Sequence, residues 1–226
     1  LRSARPDLPL LADTGAGGSL VVTGAADLDQ AVLDLVRSAF GPGGRGAAAA
    51  RLAILIGSPA RGARFRRALA DAVRALHVGP TDDPRTVLGP LPEPAAGDAL
   101  LALTELGPGE SWLVEPRRLD EEGRLWSPGV RDGVRPGARR PSAGAPVLDL
   151  MAVSDLDEAI AVQNDGSGGT AAGIHSLDPL EVADWVDRVE AGGLFVNRPI
   201  TGAVVRRHRC GWRRRSSRAT TPSSSG

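Results

Sequence analysis

The chain has 226 residues, 42% of them apolar and only 3% aromatic, with no Tyr; 27 basic residues, all Arg, balance 27 acidic ones. A net charge of zero gives no global field to steer the chain toward nucleic acid. One cysteine, Cys210, excludes an internal disulfide framework and a Cys-based zinc site.

Taken in chain order, short apolar runs alternate with amphipathic stretches. "SLVVTG" (19–24) reads as a buried strand. Residues 27–40 read as a helix capped by Asp27, with Leu28, Val32, Leu35, Val36 and Ala39 on one face. "RLAILIG" (51–57) is a second strand, and 63–79 a helix carrying Phe65, Leu69, Val73 and Leu76. A helix over 94–107 and a strand over 111–116 follow. The Pro-, Gly- and Arg-rich segment 116–144 is expected to hold loops and short excursions. Then come a strand (145–153), a helix (154–164) capped by its early acids Asp155, Asp157 and Glu158, and a strand (169–176). A helix over 178–192, with Leu180, Ala183, Trp185, Val186 and Val189 toward one side, leads into a strand over 193–197. This alternation predicts an α/β fold with a largely parallel sheet flanked by helices. Ala, Val and Leu must fill most of the core, with Trp112, Trp126 and Trp185 as core or interface aromatics.

From Arg206 the composition changes. Seven arginines fall between 206 and 218 in a Ser/Thr-rich stretch without an acid. Such a stretch cannot bury enough apolar surface to offset its ordering entropy. The expected division is a domain over 1–205 and a disordered basic tail over 206–226. The tail could touch phosphates, but zero net charge and the lack of a stacking platform beyond Trp212 argue against a nucleic-acid partner. With no apolar run of transmembrane length and no secretory signal, the expectation is a cytoplasmic protein without a membrane partner.

Gly41-Pro42-Gly43-Gly44-Arg45-Gly46 spells G-x-G-x-x-G. A dinucleotide turn follows a strand and opens a helix, so that pyrophosphate meets the helix N-terminus. Here a helix precedes and a strand follows. The run is therefore expected to be a helix-to-strand connection in which Gly supplies positive φ. His175 on its strand and His77 near a helix C-terminus have no partners at ligand spacing and are read as structural; no metal site is expected. Cys210 lies in the tail, where nothing nearby would position a substrate.

Six stretches together resemble one family: "PLLADTGAGGSLVVT", "SAFGPGGRGAAAARLAILIGS", "HVGPTDDPRTVLGPL", "GRLWSPGVRDGVRPG", "DLDEAIAVQN" and "GIHSLDPLEVADWVDRVEAGGLFVNRPITGAVVRR". They are similar to the catalytic half of the aldehyde dehydrogenase superfamily, in its L-glutamate γ-semialdehyde (1-pyrroline-5-carboxylate) dehydrogenase branch, which in bacteria is often fused behind proline dehydrogenase. The resemblance runs from about residue 6 to 207. It implies NAD as cofactor, a small aldehyde as substrate and a homo- or hetero-oligomer of family members. It also implies attack of a Cys thiolate on the aldehyde, hydride transfer to the nicotinamide and hydrolysis of the thioester by water that a Glu activates.

Carried over residue by residue, the resemblance implies a damaged site. Where the family reads G-x-x-G-Q-K-C-S-A, this chain has Gly44-Arg45-Gly46-Ala47-Ala48-Ala49. Ala47 stands at the nucleophile position, and Ala48 at that of a Ser that helps hold the substrate. Asp13 stands at the position of the general-base Glu, one methylene shorter. Ser142 replaces the Glu that binds the nicotinamide ribose. Gly202-Ala203 keeps the backbone pair that meets the amino-acid carboxylate. The family's nucleotide-binding domain would lie upstream of these residues, so binding of NAD by this chain alone is doubtful. The resemblance implies a chain that does not catalyse alone. The alternatives are a non-enzymatic subunit that pairs with an intact dehydrogenase, and weak nucleic-acid binding by the tail.

Overall fold

The computed structural model describes residues 17–44, 46, 48–137, 144–166 and 171–202. Among the described residues seven strands form one sheet in the order β3-β4-β5-β2-β1-β6-β7. They are β1 (Gly18–Val22), β2 (Ala50–Ile56), β3 (Ser111–Val114), β4 (Gly129–Asp132), β5 (Val147–Val153), β6 (Ala172–His175) and β7 (Leu194–Val196). Every neighbouring pair is parallel except β3 with β4. The expected α/β class with a largely parallel sheet is what the chain adopts.

The helices are α1 (Leu28–Phe40), the one-turn α2 (Ser58–Arg61), α3 (Ala63–Arg74), α4 (Gly97–Thr104), α5 (Leu156–Gly166) and α6 (Pro179–Arg188). Asp27 caps α1 by accepting the Asp29 and Gln30 amides at 3.1 Å each, which satisfies two donors of the first turn. The predicted stripe Val32, Leu35, Val36 and Ala39 is buried. It joins Phe65, Leu69 and Val73 of α3 and Leu20, Val22, Ala53 and Leu55 of the sheet in one cluster. Ile54, Met151, Ile160, Ile174 and Trp185 form a second cluster, with α5 and α6. A polar thread crosses it: the Trp185 indole donates to Gln163 Oε1 at 2.7 Å, and Gln163 Nε2 donates to the Ser19 hydroxyl at 3.0 Å. At the head of α5, Asp155 accepts the Glu158 amide at 2.9 Å and Glu158 accepts the Ser154 amide at 2.8 Å, as the acidic start predicted.

Four expectations need correction. Strand β4 lies inside 116–144, because Val130 is buried and Arg131, though charged, is buried too. Arg131 donates to the Ala102 carbonyl at 2.7 Å, lies 3.7 Å from both Glu110 and Asp149, and stacks over Trp112 at 5.2 Å. Helix α3 ends at Arg74, not at 79: the chain turns there, and the His77 carbonyl accepts the Val87 and Leu88 amides. His77 therefore does not cap a helix. Its Nε2 lies 3.2 Å from Asp83. The Asp83 carboxyl is held at about 2 by hydrogen bonds from Arg85, chiefly its side chain. On α6 only Trp185 and, just past its end, Val189 are buried, whereas Leu180 is 78% exposed and Ala183 and Val186 face solvent.

Candidate functional site at the strand heads

The glycine run after α1 forms a 3-10 turn, Gly41–Gly44, with Gly43 at φ 69° and Gly44 at φ 65°. It leaves a helix C-terminus and enters β2, so its amides do not crown a helix. The expected connection is present, and these residues do not fit a pyrophosphate.

The segment beyond this turn is stitched to the head of β1 through the backbone. Gly18 N donates to the Ala49 carbonyl at 2.7 Å, and Ala49 N donates to the Gly46 carbonyl at 2.9 Å. Ala48 is half-buried against the core. The head of β5 meets the same place: Arg51 reaches across to donate to the Ala145 carbonyl at 2.8 Å. Burial lowers the Arg51 pKa, and Asp149 partly offsets this.

A second segment arrives from β7. Asn197 adopts φ 51°, unusual for a residue with a side chain, and is pinned there from both ends of its amide. Its Oδ1 accepts the Ser176 amide at 2.9 Å, and its Nδ2 donates to the Ser176 carbonyl at 2.8 Å. From this pivot the chain folds back along the sheet as an arm, 197–202. Ile200 is its wedge. A Cβ placed on Gly173 would lie 2.6 Å from Ile200 Cγ2, and one placed on Gly18 would collide with Ile200 Cδ1 and sit 2.9 Å from the Ala48 carbonyl. Two strand glycines thus open the notch that Ile200 fills, directly beside Ala48. Gly202, at φ 78° and exposed, follows two residues later.

Of the predicted site residues, the structure brings Ala48 and the arm that ends in Gly202 to one strand head. Asp13, Ala47, Ser142 and Ala203 lie outside the described residues, as do Cys210 and the arginine-rich tail. The site lies at the amino ends of β1, β2 and β5. Open parallel sheets usually bind ligands at the carboxyl ends, so a rule of fold alone points to the edge opposite this candidate. Sequence reasoning also passed over Ser38, Gly173, Asn197 and Ile200. A glycine inside a strand marks close backbone approach, and Gly173 carried that signal.

At the other, carboxyl end of β6 His175 is buried, its Nε2 3.5 Å from Asp34 Oδ2. Burial lowers its pKa, against the partial opposition of Asp34 and Asp27. Its place in the core fits the structural reading. Among the described residues no group of three His, Cys, Asp or Glu side chains is placed to hold a metal ion, and no helix is long and apolar enough to cross a membrane.

Fold and sequence together define the class: the chain belongs to the aldehyde dehydrogenase family, whose profile matches residues 3–218. Among solved structures it is similar to Proline Utilization A (PutA) from Corynebacterium freiburgense, at 43% identity and a TM-score of 0.83 over 91% of this chain and 21% of that one. It is also similar to a Thermus 1-pyrroline-5-carboxylate dehydrogenase with bound NAD, at 30% identity and a TM-score of 0.74 over 85% of this chain and 37% of that one. A curated relative, the N-succinylglutamate 5-semialdehyde dehydrogenase of Chromobacterium violaceum, is 35% identical over 89% of this chain and 42% of its own length. The chain therefore spans less than half of the relatives it matches.

Proposed function

We propose that this chain corresponds to the substrate-holding half of an NAD-dependent L-glutamate γ-semialdehyde dehydrogenase, and that these 226 residues alone do not oxidise the aldehyde. The observation that carries the reading is the wedge of Ile200, which sets the arm ending in Gly202 beside Ala48 at the head of β1. In this reading the backbone of Gly202 and Ala203 meets the α-carboxylate of the substrate, and the loop through Ala47 and Ala48 meets the aldehyde end. A methyl group at Ala47 cannot form a thiohemiacetal. Ala48 offers no hydroxyl to the substrate. Asp13 retains a carboxylate for water activation but reaches less far than Glu. NAD, if it binds, would supply the hydride acceptor. Ser142 would face its ribose without the acceptor strength of a carboxylate, so NAD is expected to bind the lone chain weakly or not at all. The test is absorbance of NADH with purified chain, glutamate semialdehyde and NAD. Production above a protein-free control overturns the reading.

A second reading, a non-enzymatic subunit that pairs with an intact dehydrogenase, draws support from Leu177 and Leu180, which are 68% and 78% exposed at the start of α6. Co-expression with a tagged, intact family member tests it: retention on the affinity column supports pairing, and its absence removes this reading.

A further inference from the structure

The geometry points to Ser38 as the positioning residue of the arm: its hydroxyl holds the Ile200 amide and so fixes where Gly202 is presented. The inference rests on the proposed function only in taking the arm as the part that receives a carboxylate; the latch itself stands on geometry.

Ser38 lies in the last turns of α1 and is fully buried. A serine hydroxyl offers one hydrogen and two lone pairs. Its hydrogen goes to the Asp34 carbonyl one turn back, at 2.6 Å, which settles the rotamer and aims the lone pairs outward from the helix. The Ile200 amide donates to the same oxygen at 3.1 Å. The two residues are 162 positions apart in sequence, so this bond ties the first helix to the last described segment. Ile200 is buried, and Ser38 is the acceptor its amide has there. A buried amide left without a partner is costly, so the hydroxyl is required for the arm to stay down.

The latch works with two other constraints. Asn197 sets the pivot through its paired bonds with Ser176. The side chain of Ile200 fills the notch opened by Gly18 and Gly173. Pivot and wedge prevent the arm from swinging away, while the Ser38 bond fixes its height above the sheet at Ile200. Backbone amides that receive a carboxylate act through direction as well as distance, so an arm that is close but loose presents a poor site. A serine that merely served α1 would need only its bond to Asp34. The second bond, to a segment two residues from Gly202, is what makes it a positioning residue.

The experiment uses the full 226-residue chain, isotopically labelled, with amide hydrogen exchange and chemical shifts read residue by residue. In the unaltered chain the Ile200 amide is expected to be protected like those of β1 and β6. Exchange as fast as that of exposed amides overturns the latch without any variant. In Ser38→Ala, exchange at Ile200 and its neighbours in the arm is expected to rise about tenfold relative to β1, the size of one lost hydrogen bond. An unchanged ratio overturns it. Ser38→Thr keeps the hydroxyl and is expected to restore protection; equal loosening in Thr and Ala variants overturns it. L-Glutamate is the ligand probe, with 4-aminobutyrate, which lacks the α-carboxylate, as control. A shift at Gly202 with glutamate alone, weakened in Ser38→Ala and recovered in Ser38→Thr, supports latch and carboxylate site together. No shift with glutamate in the unaltered chain, alongside the expected change in exchange, supports the latch and overturns the substrate reading.

Discussion

The loop at 46–49 and the arm at 197–202 meet at one strand head but are held there in opposite ways. The loop is held by its backbone, with Gly18 N on the Ala49 carbonyl and Ala49 N on the Gly46 carbonyl. Its described side chains are methyl groups. The arm is held by side chains: the Asn197 amide on Ser176, the Ser38 hydroxyl on Ile200, and Ile200 itself between two glycines. A segment held by its backbone can exchange one small side chain for another with little effect on the fold. A segment held by side chains loses its place when any one of them is lost. In the proposed reading, a small residue such as Ala47 at the nucleophile position therefore leaves the arm in place, because the arm's anchors lie on other elements.

The largest expected effect is on activity. If the loop lacked only a thiol, Ala47→Cys would bring turnover back. We expect no NADH above the protein-free control from Ala47→Cys, nor from Ala47→Cys combined with Asp13→Glu. Orientation of reacting groups is worth roughly 7–11 kcal/mol in favourable cases, and a thiolate without a hydride acceptor held beside it gains none of this. NADH formation by the single variant would mean that the strand head is far closer to a working site than proposed.

Next in size come the anchors of the arm. Ile200→Ala removes a buried side chain and is expected to cost about 2–5 kcal/mol in urea unfolding. Gly173→Ala forces a methyl group against Ile200 and is expected to cost about 1–3 kcal/mol. Combined, they should cost less than their sum, by roughly 0.5–3 kcal/mol, because the new methyl occupies space that Ile200 has vacated. Strict additivity would show that the two residues do not share one notch.

A smaller effect follows from His175, which sits under α1 facing Asp34. Burial lowers its pKa below the usual 6.5, despite the opposing pull of Asp34 and Asp27. The unfolded chain therefore takes up a proton at higher pH than the folded one. The stability tied to neutral His175 is fully present above about pH 6.5 and declines as the pH falls below it. His175→Gln should flatten the fall in melting temperature between pH 7.5 and 5. A fall as steep in the variant as in the unaltered chain would assign that slope to other groups.

The smallest effect calibrates the rest. Arg64 and Asp29 pair at 3.5 Å on the surface of α3 and α1, with side chains 73% and 76% exposed. Solvent screens such a pair, and Arg64→Ala is expected to change stability by less than about 1 kcal/mol. A loss as large as that from Gly173→Ala would erase the distinction between anchor and ornament.

Much of this arrangement was legible in the sequence, and the failures have physical causes. Apolar periodicity located β1, α1, β2, β5 and α6, because each presents several apolar residues in register. It missed β4, where one valine and a buried arginine do the packing and Glu110 and Asp149 offset the charge. It carried α3 too far because Leu76 still packs against the core after the helix has ended. It overstated the buried face of α6 because periodicity reports which residues share a side, not whether anything covers them. The strand-head site came from family resemblance. No pattern within the sequence announces that Ser38 and Ile200 touch, since the contact exists only once the sheet has brought them together.

The entry to β2 has one more consequence. Gly18 pairs with Ala50 but Ser19 pairs with Leu52, so one extra residue, Arg51, is looped out where the strand begins. Such a bulge absorbs a change of one residue in chain length that would otherwise turn every following side chain to the wrong face of the sheet. The Gly18–Ala50 pair in front of it is thereby uncoupled in register from the pairs behind, which start at Ser19 with Leu52. A one-residue change in length there is expected to leave Leu52, Ala53 and Ile54 with their partners, whereas Ala49 and Ala50, both fully buried, leave no room for larger side chains.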